Sequence, residues 1–168
     1  SDLRIRLPGG GWRWVIARGH VDTDGQGKAR SVRGVIIDAT RQLEAEQQLR
    51  ASEERYRTVF NSIDDALCVI DMLFDADGAP CDYRFVETNP AFIKHTGLVD
   101  AIGKTARKLV PGLEQHWFDT YGRVATTGEP VRFENEAKGL SRWYDVYATR
   151  LGGPLTHRLA VLFTDVTE

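Results

Sequence analysis

A pattern of residues that occurs twice constrains the fold of this chain more than any other feature. The pair Arg13-Trp14 opens a strand-like run, and a later strand-like run ends in Asp38-Ala39-Thr40. Arg142-Trp143 and Asp165-Val166-Thr167 repeat this arrangement further along the chain. The two copies are separated by the length of one small domain, and recurrence at such a period indicates a duplicated structural unit. We therefore expect the tail of one domain, a connector and one complete sister domain.

Composition narrows the class of protein. The chain has 168 residues and 42% hydrophobic content, which is enough for a packed core. Its net charge of −2 provides no basic field, so we expect no nucleic-acid partner. Cys68 and Cys81 are too few for a disulfide framework and are expected to be reduced thiols. No run reaches the roughly 20 apolar residues of a membrane span. We expect this fragment to be cytoplasmic, and the attachment of a parent protein to a membrane stays open.

Residues 39–62 are predicted to form a linker helix. From Thr40 onward the segment lacks Gly and Pro and consists mostly of strong helix formers. Asp38 or Thr40 can cap the start of this helix, because a side-chain oxygen at that position accepts an unpaired backbone N–H. A heptad register places Leu49 and Tyr56 at one seam position and Val59 at the other. This seam predicts a homodimer through a coiled coil, and the alternative is that the helix end packs on its own domain.

The remaining residues predict an α+β domain. Short apolar or alternating runs indicate strands, and several short helical segments lie between the second strand and the last three. Such an order gives an antiparallel sheet that is covered by helices on one face. The predicted strands are 66–71, 82–87, 131–137, 143–151 and 158–164, and the main helices are 91–96 and 113–125.

Three motifs in this part of the chain resemble those of PAS sensory domains. Asn89-Pro90-Ala91-Phe92-Ile93, followed by Thr96-Gly97, is similar to the central motif of that family. Thr127-Gly128-Glu129-Pro130-Val131 resembles its helix-to-strand turn, and Asp165-Val166-Thr167 resembles the Asp-x-Thr that couples such a domain to its exit helix. The resemblance covers about residues 53–168. It implies a PAS fold in this region, with residues 1–38 as the last three strands of a second PAS domain.

The resemblance implies sensing and signal relay. PAS domains are typically modules of sensor histidine kinases, cyclic-dinucleotide enzymes and related regulators. We expect a sensory relay and dimerisation module of a histidine kinase, with the kinase elsewhere in the same chain and no enzymatic activity in this fragment. The alternative is a small-molecule receptor domain that controls a cyclic-dinucleotide enzyme or another output.

The resemblance also assigns candidate site residues. The relay would run through the two Asp-x-Thr segments, by Asp38, Thr40, Asp165 and Thr167. A ligand pocket would lie between the helices and the inner face of the sheet, and the favoured alternative for most aromatic side chains there is that they fill the core. Its predicted lining is Phe92, Leu109, Trp117, Phe118, Tyr121, Val146 and Leu162.

No cofactor is predicted. In the light-sensing branch of the family, flavin photochemistry needs a cysteine in the short helix after the Asn-Pro helix, and Ala106 stands at that position. Haem needs an axial histidine. His116 is the best-placed candidate, but Glu114 and Gln115 beside it indicate a partly exposed turn. No pair of histidines has metal-ligand spacing, so no metal site is expected.

Overall fold

The chain folds into two compact units, Ser1–Arg57 and Thr58–Glu168. The structure is a computed structural model and describes residues 2–167. Within those residues no helix has both the length and the apolar content needed to cross a membrane.

The first unit contains a three-stranded antiparallel sheet in the order β1-β2-β3. Its strands are β1 (Asp2–Arg6), β2 (Trp12–Thr23) and β3 (Ala29–Asp38). Gly10 and Gly11 connect β1 to β2 at φ values of 87° and 91°, a backbone region that favours glycine. Strand β3 carries apolar side chains that are largely exposed, and that of Ile36 is 72% accessible.

Helix α1 (Thr40–Ser62) follows β3 after a single residue. Its apolar side chains do not form a broad stripe, and those of Leu49 and Val59 are exposed at 61% and 60%. An ion pair between Arg50 and Glu54, with 3.3 Å between Nε and Oε1, lies along its surface. An isolated exposed pair of this kind stabilises a helix by only a few tenths of a kcal/mol, about 0.3–0.5.

The second unit is an α+β fold with a five-stranded antiparallel sheet in the order β5-β4-β8-β7-β6. The predicted fold class is therefore confirmed, and the last three strands form the expected meander. The elements are β4 (Ala66–Phe74), β5 (Pro80–Thr88), α2 (Pro90–Thr96), α3 (Ala106–Leu109), α4 (Gln115–Thr127), β6 (Val131–Ala137), β7 (Arg142–Arg150) and β8 (Arg158–Asp165).

Helix α4 lies two residues later than predicted at both ends. The Leu113 N–H donates to the carbonyl of Val110, so this residue belongs to a turn rather than to the helix. The helix ends where Gly128 adopts a φ of 78° and donates its N–H to the carbonyl of Val124. A left-handed glycine just beyond the last turn is a common helix stop.

One face of the sheet packs against the helices. Helix α4 contacts β4, β5, β7 and β8, and α2 contacts β4 and β8. Side chains alternate along each strand, so Leu159, Val161 and Phe163 of β8 are buried beneath the helices. On β7 the same alternation leaves Trp143 and Tyr147 exposed on the outer face. The inner face and the helices thus enclose the core in which a ligand site can form.

Candidate functional site

A cavity of about 60 Å³ lies inside the second unit, between the helices and the inner sheet face. A water molecule needs about 10–15 Å³ of such space, so the cavity has room for roughly four waters or one small organic molecule. Seven aromatic side chains dominate its wall: Tyr83, Phe85, Phe92, Trp117, Tyr121, Tyr144 and Phe163.

The wall of the cavity is neutral. None of the described residues that line it is Asp, Glu, Lys, Arg or His. Burial raises the pKa of Cys68, and it also raises the pKa of Tyr83 and Tyr121 far above the ordinary value of 10.0. These groups therefore stay protonated at any physiological pH. A charged ligand would lose its hydration here without gaining an ion partner.

One residue of the cavity wall has a buried polar atom without a hydrogen-bond partner within residues 2–167. The indole Nε1 of Trp117 is buried and unpaired. In contrast, the hydroxyl of Tyr144, which also lines the cavity, donates to the carbonyl of His95 at 2.8 Å.

The structure separates the predicted pocket residues into two groups. Phe92, Trp117, Tyr121 and Val146 line the cavity. The other three predicted residues, which are Leu109, Phe118 and Leu162, lie elsewhere.

Each of these three residues lies outside the cavity wall for a separate reason. Phe118 is fully buried, but its ring packs against Tyr83 and beneath the guanidinium of Arg107. Leu109 packs at the partly buried margin of the core. Leu162 lies on the outer face of the sheet, because successive residues of a strand point to opposite faces and its neighbours Val161 and Phe163 point inward.

His116 does not line the cavity. Its ring lies 5.1 Å from that of Trp117, and its buried Nε2 has no partner among the described residues. The expectation of a partly exposed turn agrees with its intermediate accessibility. Within residues 2–167, no group of three or more His, Cys, Asp or Glu side chains is arranged to hold a metal ion. Ala106, at the position of the photoactive cysteine, lines the cavity.

The recurring sequence pattern forms the same hydrogen-bonded box in each unit. In the second unit the Trp143 N–H donates to the hydroxyl of Thr167 at 2.9 Å, and the Thr167 N–H donates to Oδ1 of Asp165 at 3.0 Å. Nη1 of Arg142 donates to Oδ2 of Asp165 at 2.7 Å. We call these four residues the exit box.

In the first unit the same roles fall to Arg13, Trp14, Asp38 and Thr40. The Trp14 N–H donates to the Thr40 hydroxyl at 3.0 Å, and the Thr40 N–H donates to Oδ1 of Asp38 at 3.0 Å. Arg13 pairs with Oδ2 of Asp38 at 3.2 Å. Thr40 is also the first residue of α1, so this box fixes the start of the helix to the end of β3.

Both box carboxylates are held in the ionised form. Hydrogen bonds from Thr40 lower the pKa of Asp38, with a smaller contribution from the charge of Arg13. Burial alone would raise the pKa of Asp165, but the hydrogen bonds from Thr167 and the Arg142 charge outweigh it and leave the pKa lowered. A charged carboxylate thus joins three groups from two chain segments.

His95 connects the exit box to other parts of the second unit. Its Nδ1 accepts the N–H of Asp165 at 3.0 Å, so the proton of a neutral ring lies on Nε2, which contacts the carbonyl of Asp64 at 3.0 Å. Its carbonyl accepts from both Arg142, at 2.7 Å, and Tyr144. We call Asp64, His95, Arg142, Tyr144 and Asp165 the His95 cluster.

Asn89 joins the start of α2 to β4 and to the segment before that strand. Its Oδ1 caps the helix by accepting the Phe92 N–H at 3.1 Å, and it also accepts the Leu67 N–H at 3.0 Å. Its Nδ2 donates to the carbonyls of Asp65, at 3.0 Å, and Ile63. The amide is therefore fully used, which explains why asparagine at this position can be buried.

The sequence reasoning missed the roles of His95 and Arg142. Arg142 could have been found, because an arginine precedes the tryptophan in both copies of the repeat. His95 gives no such signal, since its partners Asp64 and Asp165 lie 31 and 70 residues away along the chain.

Comparisons of the sequence with known proteins show which proteins it resembles. The family model for the PAS domain matches residues 54–129. The chain is 27% identical over 132 residues to the sensor protein FixL of Bradyrhizobium diazoefficiens, and the match covers 77% of this chain and 25% of that protein. The chain therefore spans a quarter of the length of the curated relative that it matches.

Solved structures share the fold. The PAS domain of an HTR-like protein from Haloarcula marismortui matches with a TM-score of 0.50 and 19% identity, over 73% of this chain and 98% of that one. The LOV protein of Rhodobacter sphaeroides matches with a TM-score of 0.50 and 20% identity, over 70% and 68%. Together with the Asn-Pro helix, the family match confirms the predicted family for residues 54–129, and the solved structures share the fold of the unit that contains the five-stranded sheet.

Proposed function

We propose that the chain is a sensory relay and dimerisation module of a multidomain signalling protein whose output is a histidine kinase in the same chain. The similarity to a protein named as a sensor supports the sensory part of this proposal. The relay through the two boxes, the dimer and the kinase output go beyond the family assignment and are inferred from the chain itself.

The observation that carries the relay is the recurrence of the box. The same three hydrogen bonds recur in each unit, with donor–acceptor distances that differ by no more than 0.1 Å for the two bonds through threonine. In the first unit the box continues directly into α1. A rigid joint between the last strand and a helix can transmit a strand displacement into that helix, which is the kind of element that switching proteins use.

The His95 cluster gives the second unit a route from the cavity to the exit box. The Tyr144 ring lines the cavity, and its hydroxyl binds the His95 carbonyl. The His95 ring then binds the backbone of Asp165. A ligand that moves Tyr144 would thus change the hydrogen bonding of the residue that opens the Asp-x-Thr turn.

Dimerisation through α1 would bring two relays together. The exposed apolar side chains of Leu49 and Val59 support a helix–helix contact, and Tyr56 lies one heptad after Leu49. A parallel pair of such helices would allow a change of register or twist to pass along the chain.

The test is kinase output in the full-length protein with Asp165→Ala. We expect the variant to stay folded and its phosphorylation to stop responding to the stimulus, because the joint is broken. The matched control is Asp71→Ala, which removes a carboxylate that pairs with Arg158 outside the box. If the Asp165 variant responds to the stimulus as the control does, the exit box is an ordinary structural cap.

The cavity favours a second candidate function, a small-molecule receptor that controls a cyclic-dinucleotide enzyme or another output. A protected space with a neutral, largely apolar wall suits a bound metabolite. A ligand that binds only the folded state raises the melting temperature by mass action. Melting curves recorded with a metabolite panel test this function, and an unchanged melting temperature with every compound would argue for a relay without its own ligand.

A further inference from the structure

The ring of His95 joins helix α2 to the last residue of β8 in one protonation state only. Its Nδ1 accepts the backbone N–H of Asp165, and a backbone N–H can only donate. Nδ1 therefore carries no proton, and the single proton of the neutral ring lies on Nε2, which donates to the carbonyl of Asp64. Each of these two contacts spans 3.0 Å, so both ring nitrogens are engaged.

A second proton on this ring is incompatible with the contact to Asp165. In an imidazolium both nitrogens are donors, so an Nδ1–H would face the Asp165 N–H at 3.0 Å. The Asp165 backbone is held in place, because β8 pairs with β7 at Tyr144. The ring is only half-buried and exchanges protons with water. Protonation of His95 must therefore open this contact.

Charged groups lie on every segment that His95 contacts. Negative charges stabilise an imidazolium and positive charges oppose it. Burial raises the pKa of Tyr144 to about 12, so its hydroxyl stays neutral. The charged residues are Asp64 and Asp65 before β4, Asp165 of β8, Arg142 of β7 and Lys94 of α2. The carboxylates outnumber the cations, so the local charge provides partners for a protonated ring.

The exit box itself does not depend on the His95 ring. The Trp143 N–H donates to the Thr167 hydroxyl, and the Asp165 carboxylate accepts from the Thr167 N–H and from Arg142. Histidine ordinarily changes its charge between about pH 5 and 8. The Asp165 carboxylate stays ionised throughout that range, because its pKa is lowered. A proton on His95 would thus detach α2 from the exit box while the box stays closed.

We propose that His95 makes the link between α2 and the exit box dependent on pH: the neutral ring holds the two together, and the protonated ring releases the Asp165 amide. This inference rests on the proposed relay, because it adds a regulation to the route from the cavity to the exit box. Near pH 8 the route through the ring is complete, and below about pH 5 a displacement of Tyr144 no longer reaches Asp165 through the ring.

Hydrogen exchange at single amides of the full 168-residue chain tests this inference. NMR measures protection factors, which correct for the intrinsic effect of pH on exchange, at about pH 8 and about pH 5.5. We expect the protection of the Asp165 amide to be about 3- to 10-fold lower at the acidic pH, as expected for one lost hydrogen bond. The Trp143 amide, which the box holds without the His95 ring, should keep its protection.

Two variants locate the effect in the His95 ring. His95→Asn keeps an acceptor oxygen near the position of Nδ1 but does not titrate, so the protection of Asp165 should be the same at both pH values. His157→Asn is the matched control, because that ring packs against Phe74 at the far end of β4, and it should show the wild-type dependence on pH. The ¹⁵N resonances of the wild-type His95 ring add a measurement that needs no variant, since at about pH 8 the proton should lie on Nε2.

Any of five results would overturn the inference. Two concern the wild type: a proton on Nδ1 at about pH 8, or equal protection of the Asp165 amide at both pH values. A parallel loss of protection at Trp143 would show that the whole box opens. The others are a pH dependence that persists in the His95 variant and one that disappears in the His157 variant. None of these results touches the kinase output of Asp165→Ala, so failure of the pH-dependent link and failure of the relay can be told apart.

Discussion

Replacing Asp165 by alanine should destabilise the second unit by clearly more than the loss of an ordinary helix cap. The carboxylate accepts hydrogen bonds from the Thr167 N–H at 3.0 Å, from the Thr167 hydroxyl and from Arg142 at 2.7 Å. Hydrogen bonds to charged groups contribute about 1.5–3 kcal/mol each, but they are not additive, and both side chains keep contact with water. The side chains of Asp165 and Arg142 are 22% and 34% accessible. We therefore expect a loss of about 2–3 kcal/mol, compared with about 1 kcal/mol for a lost cap.

This destabilisation should depend on pH with a definite sign. The folded state lowers the pKa of Asp165 below the ordinary value of about 3.9. A lowered pKa adds stability that is fully present above the ordinary value and is lost as the pH falls through the folded-state value. The difference in stability between wild type and Asp165→Ala should therefore be constant from about pH 7 to 5 and should shrink below about pH 4.

Urea-induced unfolding, followed by circular dichroism at several pH values, measures this difference. Asp71→Ala is the control, because its pair with Arg158 is more exposed and should contribute at most about 1 kcal/mol. Equal losses in the two variants at pH 7 would refute the view that the exit box is a tightly bonded joint. A difference that persists unchanged at pH 2 would refute its dependence on the ionised carboxylate.

Three further predictions concern the rest of the chain. His95→Phe should keep the fold but make hydrogen exchange at the Asp165 amide faster, because the acceptor at Nδ1 is lost. Unchanged exchange would show that the His95 ring does not hold the backbone of Asp165. Leu49→Glu combined with Tyr56→Glu should convert a dimer into monomers, because it places like charges in the seam, and light scattering measures the mass. Gln48→Glu is the control off the seam. A double variant that keeps the dimer mass would place the contact elsewhere. The purified chain should show no visible absorption band after gel filtration, because no described histidine lines the cavity and Ala106 replaces the photoactive cysteine. A band that survives gel filtration would show that haem or flavin is bound and would refute this prediction.

The sequence predicted best those features of the fold that depend only on residues close by in the chain. Asn89 at a helix start and Gly128 at a helix stop act through their own backbone neighbours, so a motif suffices to predict them. The repeated Asp-x-Thr could be predicted as a structural joint because both of its copies follow a strand. The paired arginine was visible in the same repeat, and it was overlooked because only the aspartate and the threonine of each copy were assigned a role.

Other features depend on packing that the sequence does not encode locally. Leu162 was assigned to the pocket, but it alternates with Val161 and Phe163 along β8, and a shift of one residue places a side chain on the opposite face. Phe118 lies in the core and Leu109 packs at its margin, and whether such a side chain fills space or borders a cavity depends on all of its neighbours. The links made by His95 join segments that are distant along the chain, so only the folded structure reveals them.

A double-mutant cycle between Tyr144→Phe and Asp165→Ala tests most directly whether the cavity wall and the exit box form one network. The Tyr144 hydroxyl and Arg142 share the His95 carbonyl as acceptor, and Arg142 also binds Asp165. Residues in one hydrogen-bond network show coupling energies of about 0.5–3 kcal/mol, whereas independent sites are additive within about 0.5 kcal/mol. We predict a coupling of about 1 kcal/mol in the free energy of unfolding. Strict additivity of the two substitutions would contradict a connection between the cavity and the Asp-x-Thr turn.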